Sequence, residues 1–211
     1  MSDPETVFVV DDDPSVRRAL ERLVASVGLN CEAFASAEEF VRREHSRPGC
    51  LVLDLRMPKT SGLDLLRQLN QGGYRLPVIF LTAYGDVRTS VAAMKGGAVE
   101  FLTKPFQEQE LLDAIQHAID RDREARKKHD ERLRRKRQYE SLSPRERQVL
   151  AHVVAGLLNK QIAGELNVSE STVKQHRAEM MQKMEARSLA ELVALVTELD
   201  LNNTPPLPES T

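Results

Sequence analysis

The stretch TVFVVDDDPSVRRALERLVASVG, residues 6–28, runs from an apolar segment through three aspartates into an amphipathic helix. Thr6–Val10 is β-branched and aromatic, which predicts a strand. It does not alternate with polar residues, so both of its faces are expected to be covered. Asp13-Pro14 reads as a helix N-cap followed by proline at the first helical position. SVRRALERLVASV then repeats its apolar face at helical spacing, and Gly28 stops it. This is a strand–helix unit with carboxylates crowded at the joint.

The unit recurs outward along the chain. Apolar runs at NCEAFA (30–35), CLVLD (50–54), LPVIFLT (76–82) and VEFLT (99–103) predict four more strands. Ser36-Ala-Glu-Glu39 predicts a capping box at the second helix. SGLDLLRQLN, DVRTSVAAMK (broken by Gly96-Gly97) and QEQELLDAIQHAI supply three further helices. Five strands alternating with helices predict a doubly wound parallel (βα)5 sheet of flavodoxin-like type. After Ala114 the fifth helix continues through the charged run 120–138 without Pro or Gly. LSPRERQVLAHVVAGL, NKQIAGELN, SESTVKQHRAEMMQKM and SLAELVALVTEL then predict a small all-α domain. The expected organisation is 1–120, a charged helical linker 121–140, the helical domain 141–200, and a Pro-rich disordered tail 201–211.

A chain of 211 residues, 41% hydrophobic, suits two globular domains with real cores. The N-terminus has no basic region, and no apolar run approaches the roughly 20 residues of a membrane span. Cytoplasmic location and no membrane partner are expected. Cys31 and Cys50 have no CxxC spacing and read as reduced core thiols. The net charge of −2 is uneven: residues 121–137 hold 10 basic and 4 acidic side chains, whereas residues 138–211 hold 7 and 10. Bulk charge does not make the helical domain a nucleic-acid binder, so that case must come from one helix. The run 121–137 suits a solvated helix face, DNA phosphates or pairing across a dimer.

Ligands of doubly wound sheets sit beyond the carboxyl ends of the strands. There this sequence puts Asp11, Asp12 and Asp13, then Asp54, Thr82 and Lys104. Asp11, Asp12 and Asp54 would repel in a partly buried cleft. A hard divalent cation, Mg2+ or Mn2+, resolves the repulsion, since it takes oxygen ligands and few carboxylates. Asp13 serves as the cap. A metal beside a carboxylate, a hydroxyl and a lysine suggests phosphoryl transfer. Asp54 would be the nucleophile, Lys104 would neutralise charge, and Thr82 would hold one oxygen.

DDDP, LVLDLRMPKTSGLDLL, FLTAYGD and EFLTKPF resemble the receiver domain of two-component response regulators over about residues 5–120. The resemblance implies that Asp54 takes phosphate from a sensor histidine kinase. It further implies Mg2+ ligation by Asp12, Asp54 and the backbone carbonyl of Arg56, with Asp11 acting through water. Phe101 matches the rotating aromatic switch, and Lys104-Pro105 matches a bond usually cis in the family. The surface of helix 4 and strand 5 usually forms a homodimer when phosphorylated, which singles out Val91 and Lys95. Arg56 and Tyr84 flank the pocket and are expected to influence the phosphate's lifetime. An aspartyl-phosphate hydrolase of the haloacid-dehalogenase type would carry a second Asp where Arg56 stands.

In QIAGELNVSESTVKQHRAEMMQKM, Ile162, Ala163 and Leu166 would face inward, Asn167-Val168-Ser169 would turn, and Val173, Met180, Met181 and Met184 would be core. The opposite side offers Ser171, Thr172, Lys174, Gln175, His176, Arg177 and Lys183, as a helix reading the major groove would. With LSPRERQVL and NKQIAGELN, the stretch 141–200 resembles a LuxR-type helix-turn-helix, and the whole chain resembles the NarL/FixJ class. The resemblance implies base-facing positions at Lys174, Gln175 and Ala178. Lys160, Thr172, His176 and Arg177 would contact phosphates of double-stranded DNA. Ala178 departs from relatives with a polar residue there and could only touch a thymine methyl or fill space. His176 lacks the companions of a metal site. The function expected is a phosphorylation-activated transcriptional regulator that catalyses only its own phosphorylation and slow dephosphorylation. The alternatives are a receiver-based interaction switch and a phosphate sink for a kinase.

Overall fold

A computed structural model describes residues 4–43, 47–74, 76–83 and 87–199. Tyr84 and the tail 201–211 therefore lie outside the described residues. The chain divides into two compact units, Met1–Arg126 and Lys127–Thr211.

In the first unit the strands β1 (Thr6–Val10), β2 (Asn30–Phe34), β3 (Gly49–Asp54), β4 (Val78–Thr82) and β5 (Glu100–Thr103) are all parallel, in the order β2-β1-β3-β4-β5. β1, β3 and β4 are buried along their whole length, as their unbroken apolar sequences require. β2, with polar residues among its apolar ones, is an edge strand buried fully only at Phe34. Successive residues of the inner strands feed two cores. Phe8, Val10, Leu51, Leu53 and Phe80 pack with residues of α2 (Ala37–Val41), α3 (Gly62–Gln71) and α4 (Val87–Lys95). Val7, Val9, Val52, Ile79 and Leu81 pack on the other face against α1 (Pro14–Ser26) and α5 (Glu108–Glu140).

Local chemistry sets the helix ends. Asp13 caps α1, its Oδ1 accepting the Ser15 N–H at 2.7 Å, with Pro14 at the first position. The capping box expected at Ser36 forms only by half. Ser36 Oγ accepts the Glu39 N–H, but the Glu39 carboxylate accepts the N–H of Ala35 instead of returning to Ser36. Ala35 precedes the cap, so the second bond ties down the entering chain. Cys31 and Cys50 both pair with Val7, on the strands either side of β1. Two strand spacings separate them, about 9.6 Å, beyond disulfide reach. Burial pushes both thiols up to about 12.

The helix α5 has 33 residues and crosses the boundary between the units. Its first half packs Leu111, Ala114, Ile115, Ala118 and Ile119 on the sheet. Asp122, also buried, accepts the Gly49 N–H at the start of β3 and pairs with Arg126. The second half belongs to the second unit. There Tyr139 packs on the helical core under the Arg147 guanidinium, Arg134 pairs with Glu185 and Arg135 with Glu198.

That unit adds α6 (Pro144–Val154), α7 (Asn159–Leu166), α8 (Glu170–Lys183) and α9 (Leu189–Glu198). Val149, Leu150, Val153, Ile162, Val173, Met180, Met184, Leu192 and Val196 form its core. The methionines expected as core are so, except that Met181, like Leu166, is only partly buried. Asn167 ends α7 in the left-handed conformation at φ 51°, which a short amide side chain tolerates, and Ser169 caps α8. At Ser143 and Glu146 a reciprocal capping box opens α6.

Candidate functional site

β1 has β2 on one side and β3 on the other. The chain leaves β1 and β3 in opposite directions, opening a crevice beyond their carboxyl ends. Asp11 follows β1 and Asp54 ends β3, so the switch in strand order brings them together. Asp11, Asp12 and Asp54 each offer an oxygen, all within 4.8 Å of one another. Asp11 and Asp54 are buried and Asp12 is exposed. Lys104 Nζ donates to Asp11 Oδ2 at 2.7 Å and lies 3.5 Å from Asp54 Oδ1. Thr82 is buried at the end of β4, and its carbonyl accepts the Lys104 N–H at 2.7 Å. The Lys104–Pro105 bond is cis. Arg56 follows on the loop after β3 with its side chain exposed.

The electrostatics follow from this crowding. Burial pushes the Asp54 carboxyl above its ordinary value, Asp11 and Asp12 push the same way, and Lys104 opposes them. Burial alone would lower the Lys104 ammonium, but its bonds to Asp11 and Asp54 outweigh that and hold it above its ordinary value. Three hard carboxylate donors, one with water access, suit a small divalent cation.

Two residues of the pocket were not singled out from sequence. Arg17, in the first turn of α1, donates from Nη1 to the Asp11 carbonyl at 2.6 Å, while the Asp13 N–H donates to Asp11 Oδ1. Gly62 opens α3 directly beneath Asp54. A Cβ there would lie 2.5 Å from the Asp54 carbonyl oxygen and 2.9 Å from the Phe80 ring. Phe101 is half-buried on β5, its ring centroid 6.3 Å from that of Phe80. Val91 and Lys95 are exposed on α4, where Val87 and Met94 are exposed too.

In the second unit α8 buries Val173 and Met180, with Met184 buried at its C-cap, and leaves Ser171, Lys174, Gln175 and Ala178 exposed on one face at helical spacing. Thr172 joins the cap, its hydroxyl 2.8 Å from Ser169 Oγ. Lys160 is exposed on α7. Arg177 is drawn to the start of α7, donating to Asn159 Oδ1 at 2.8 Å. His176 is half-buried, with Nδ1 3.7 Å from a Glu179 oxygen. Lys183, counted with the outward set from sequence, is taken by Glu146. Its Nζ lies 2.7 and 2.8 Å from the two oxygens of that buried carboxylate. Burial alone would raise the Glu146 carboxyl, but Lys183 and the Ser143 N–H hold it below its ordinary value.

Residues 7–116 match the family described as the response regulator receiver domain, and residues 140–196 match the bacterial regulatory proteins of the luxR family. The chain is 48% identical over 199 residues to Nodulation protein W of Bradyrhizobium diazoefficiens, covering 93% of this chain and 87% of that protein. It is 43% identical over 191 residues to the transcriptional regulatory protein FixJ of Rhizobium meliloti, covering 90% of this chain and 94% of FixJ. Among solved structures, the response regulator StyR matches with a TM-score of 0.85 at 48% identity, over 92% of this chain and 99% of StyR. Full-length FixJ from B. japonicum matches with a TM-score of 0.56 at 37% identity, over 95% of this chain and 99% of that one.

Proposed function

The chain belongs to the response regulators of the NarL/FixJ class, transcriptional regulators that join a receiver to a LuxR-type DNA-binding domain, and from that premise we propose that Asp54 is its phosphoacceptor and that its phosphorylation controls operator binding through dimerisation. The single observation that carries the proposal is the convergence of Asp11, Asp12, Asp54 and Lys104 at the switch point of the sheet.

An Asp54 carboxylate oxygen attacks the phosphorus of a kinase phosphohistidine. The new O–P bond forms as the P–N bond breaks, and the bonding pair leaves with the imidazole. Asp12, Asp54 and the Arg56 carbonyl would hold a Mg2+ ion, with Asp11 acting through water, and the ion would supply charge neutralisation for the transferring group. Lys104, already within reach of Asp54, turns from Asp11 to a phosphoryl oxygen. The Thr82 hydroxyl takes another. Thr82 and Phe101 then favour the active arrangement, and Val91 and Lys95 on α4 contribute to the dimer surface. Phosphate acts only by binding that arrangement better than the resting one. In the second unit Lys174, Gln175 and Ala178 face bases, and Lys160, Thr172, His176 and Arg177 lie toward phosphates. Among the described residues no helix is long and apolar enough to cross a membrane. A regulator that must reach DNA is at work in the cytoplasm.

The test is size-exclusion chromatography with light scattering, in Mg2+, with and without beryllofluoride as the phosphoryl stand-in. Wild type is expected to shift from monomer to dimer and Asp54→Asn to stay unchanged. A shift in both proteins, or in neither, overturns the mechanism.

A further inference from the structure

On the exposed face of α8, Gln175 Nε2 donates to Glu179 Oε1 at 2.9 Å, one helical turn on. The other Glu179 oxygen lies 3.7 Å from His176 Nδ1. A carboxylate on a helix that approaches phosphates works against binding unless it has another task. Here its task is orientation. An ionised carboxylate only accepts hydrogen bonds, so the amide group it meets must be the NH2 and not the carbonyl. The chemistry of the partner therefore settles which way the Gln175 amide faces, a choice that atomic positions alone leave open.

We propose that Glu179 is a positioning residue that makes Gln175 an adenine reader, an inference that rests on the DNA-binding reading above. The amide hydrogen trans to the carbonyl goes to Glu179. The carbonyl oxygen and the cis hydrogen remain, side by side, for the groove. That pair matches adenine, whose N6 amino group donates and whose N7 accepts. Guanine offers two acceptors at N7 and O6, so it would oppose the Gln175 carbonyl oxygen with one of them. Ala178, exposed three residues on, adds no polar group that could accommodate a different base. The structure thus assigns one operator position per half-site to adenine.

The experiment selects full-length protein, with Mg2+ and beryllofluoride, on random duplex DNA at fixed salt. Each single substitution of the selected site is then measured. Wild type is expected to prefer adenine over guanine at one position by about 10- to 100-fold. Gln175→Ala should flatten that position alone. Glu179→Gln should narrow the adenine preference there several-fold without abolishing it, because a neutral amide accepts or donates and no longer holds Gln175 in the one orientation that meets adenine. Glu179→Ala should do the same, with affinity for the rest of the site retained or raised alike on every duplex as the negative charge is lost, and the melting temperature unchanged. Wild-type selectivity at that position that survives both Glu179 variants overturns the orienting role while leaving DNA binding intact. Wild type that shows no salt-dependent binding to any duplex overturns the DNA-binding reading itself, and this inference with it.

Discussion

Replacing Gly62 with alanine tests whether the floor of the acidic pocket is set by close packing. The added Cβ would meet the Asp54 carbonyl oxygen at 2.5 Å, about 0.9 Å inside ordinary contact at 3.4 Å, and the Phe80 ring at 2.9 Å. Neither neighbour is a flexible side-chain end: one is backbone of the proposed phosphoacceptor, the other a ring fully buried in the core. Overpacking of this kind costs about 1–3 kcal/mol. The better helix propensity of alanine returns up to about 1 kcal/mol. A net loss of roughly 1–2 kcal/mol should lower the receiver's melting temperature by roughly 4–10 °C. The effect on chemistry should be larger. Displacing Asp54 by most of an ångström is expected to slow phosphorylation by roughly 10- to 100-fold. The assay is phosphorylation by acetyl phosphate with Mg2+, followed by phosphate-affinity electrophoresis well below the melting temperature. Gly28→Ala is the control. Gly28 sits at φ 78° with open space around it, so alanine there costs roughly 1–2 kcal/mol of backbone strain and touches nothing near the site. Wild-type rates in Gly62→Ala, or an equal slowing in Gly28→Ala, would refute the reasoning.

Two further predictions concern the helical unit. The folded Glu146 carboxyl titrates below its ordinary value of 4.5, so its contribution is complete above that pH and drains away as pH falls through the lower folded value. Thermal melts of the second unit from about pH 6 to pH 3 should show that decline, and Glu146→Gln should flatten it while costing about 1 kcal/mol at neutral pH, since Lys183 keeps access to water and is screened. Lys160→Ala should weaken binding to all duplexes alike and reduce the salt slope by about one, read from log affinity against log salt.

Much of this was legible in the sequence, for definite reasons. β1, β3 and β4 are buried on both faces, so their residues are apolar without interruption and stand out from the helices. The carboxylates of the pocket were visible because each directly ends or follows such a strand, where an unpaired charge has no structural excuse. The rest was hidden by distance along the chain. Gly62 looks like an ordinary residue after the Ser61 cap until β3 and Phe80 are packed against it. Lys183 has the helical phase of an outward residue, and only the folded unit shows Glu146, 37 positions earlier, reaching it. Glu39 has the right spacing for a capping box but finds the Ala35 N–H better presented. Arg17 is one basic residue among several on α1, and nothing local marks it as the one that holds the Asp11 carbonyl.

The single helix α5 bears on how such chains exchange modules in evolution and in the laboratory. A seam between Glu140 and Ser141, where the sequence turns from charged to ordinary, would strip Tyr139, Arg134 and Arg135 from the helical unit along with their contacts to its core, Glu185 and Glu198. A seam between Arg126 and Lys127 keeps the Asp122–Arg126–Gly49 tie with one parent and all of those contacts with the other. New pairings of input and output are therefore best spliced inside a helix, with flanking sequence that remains helical.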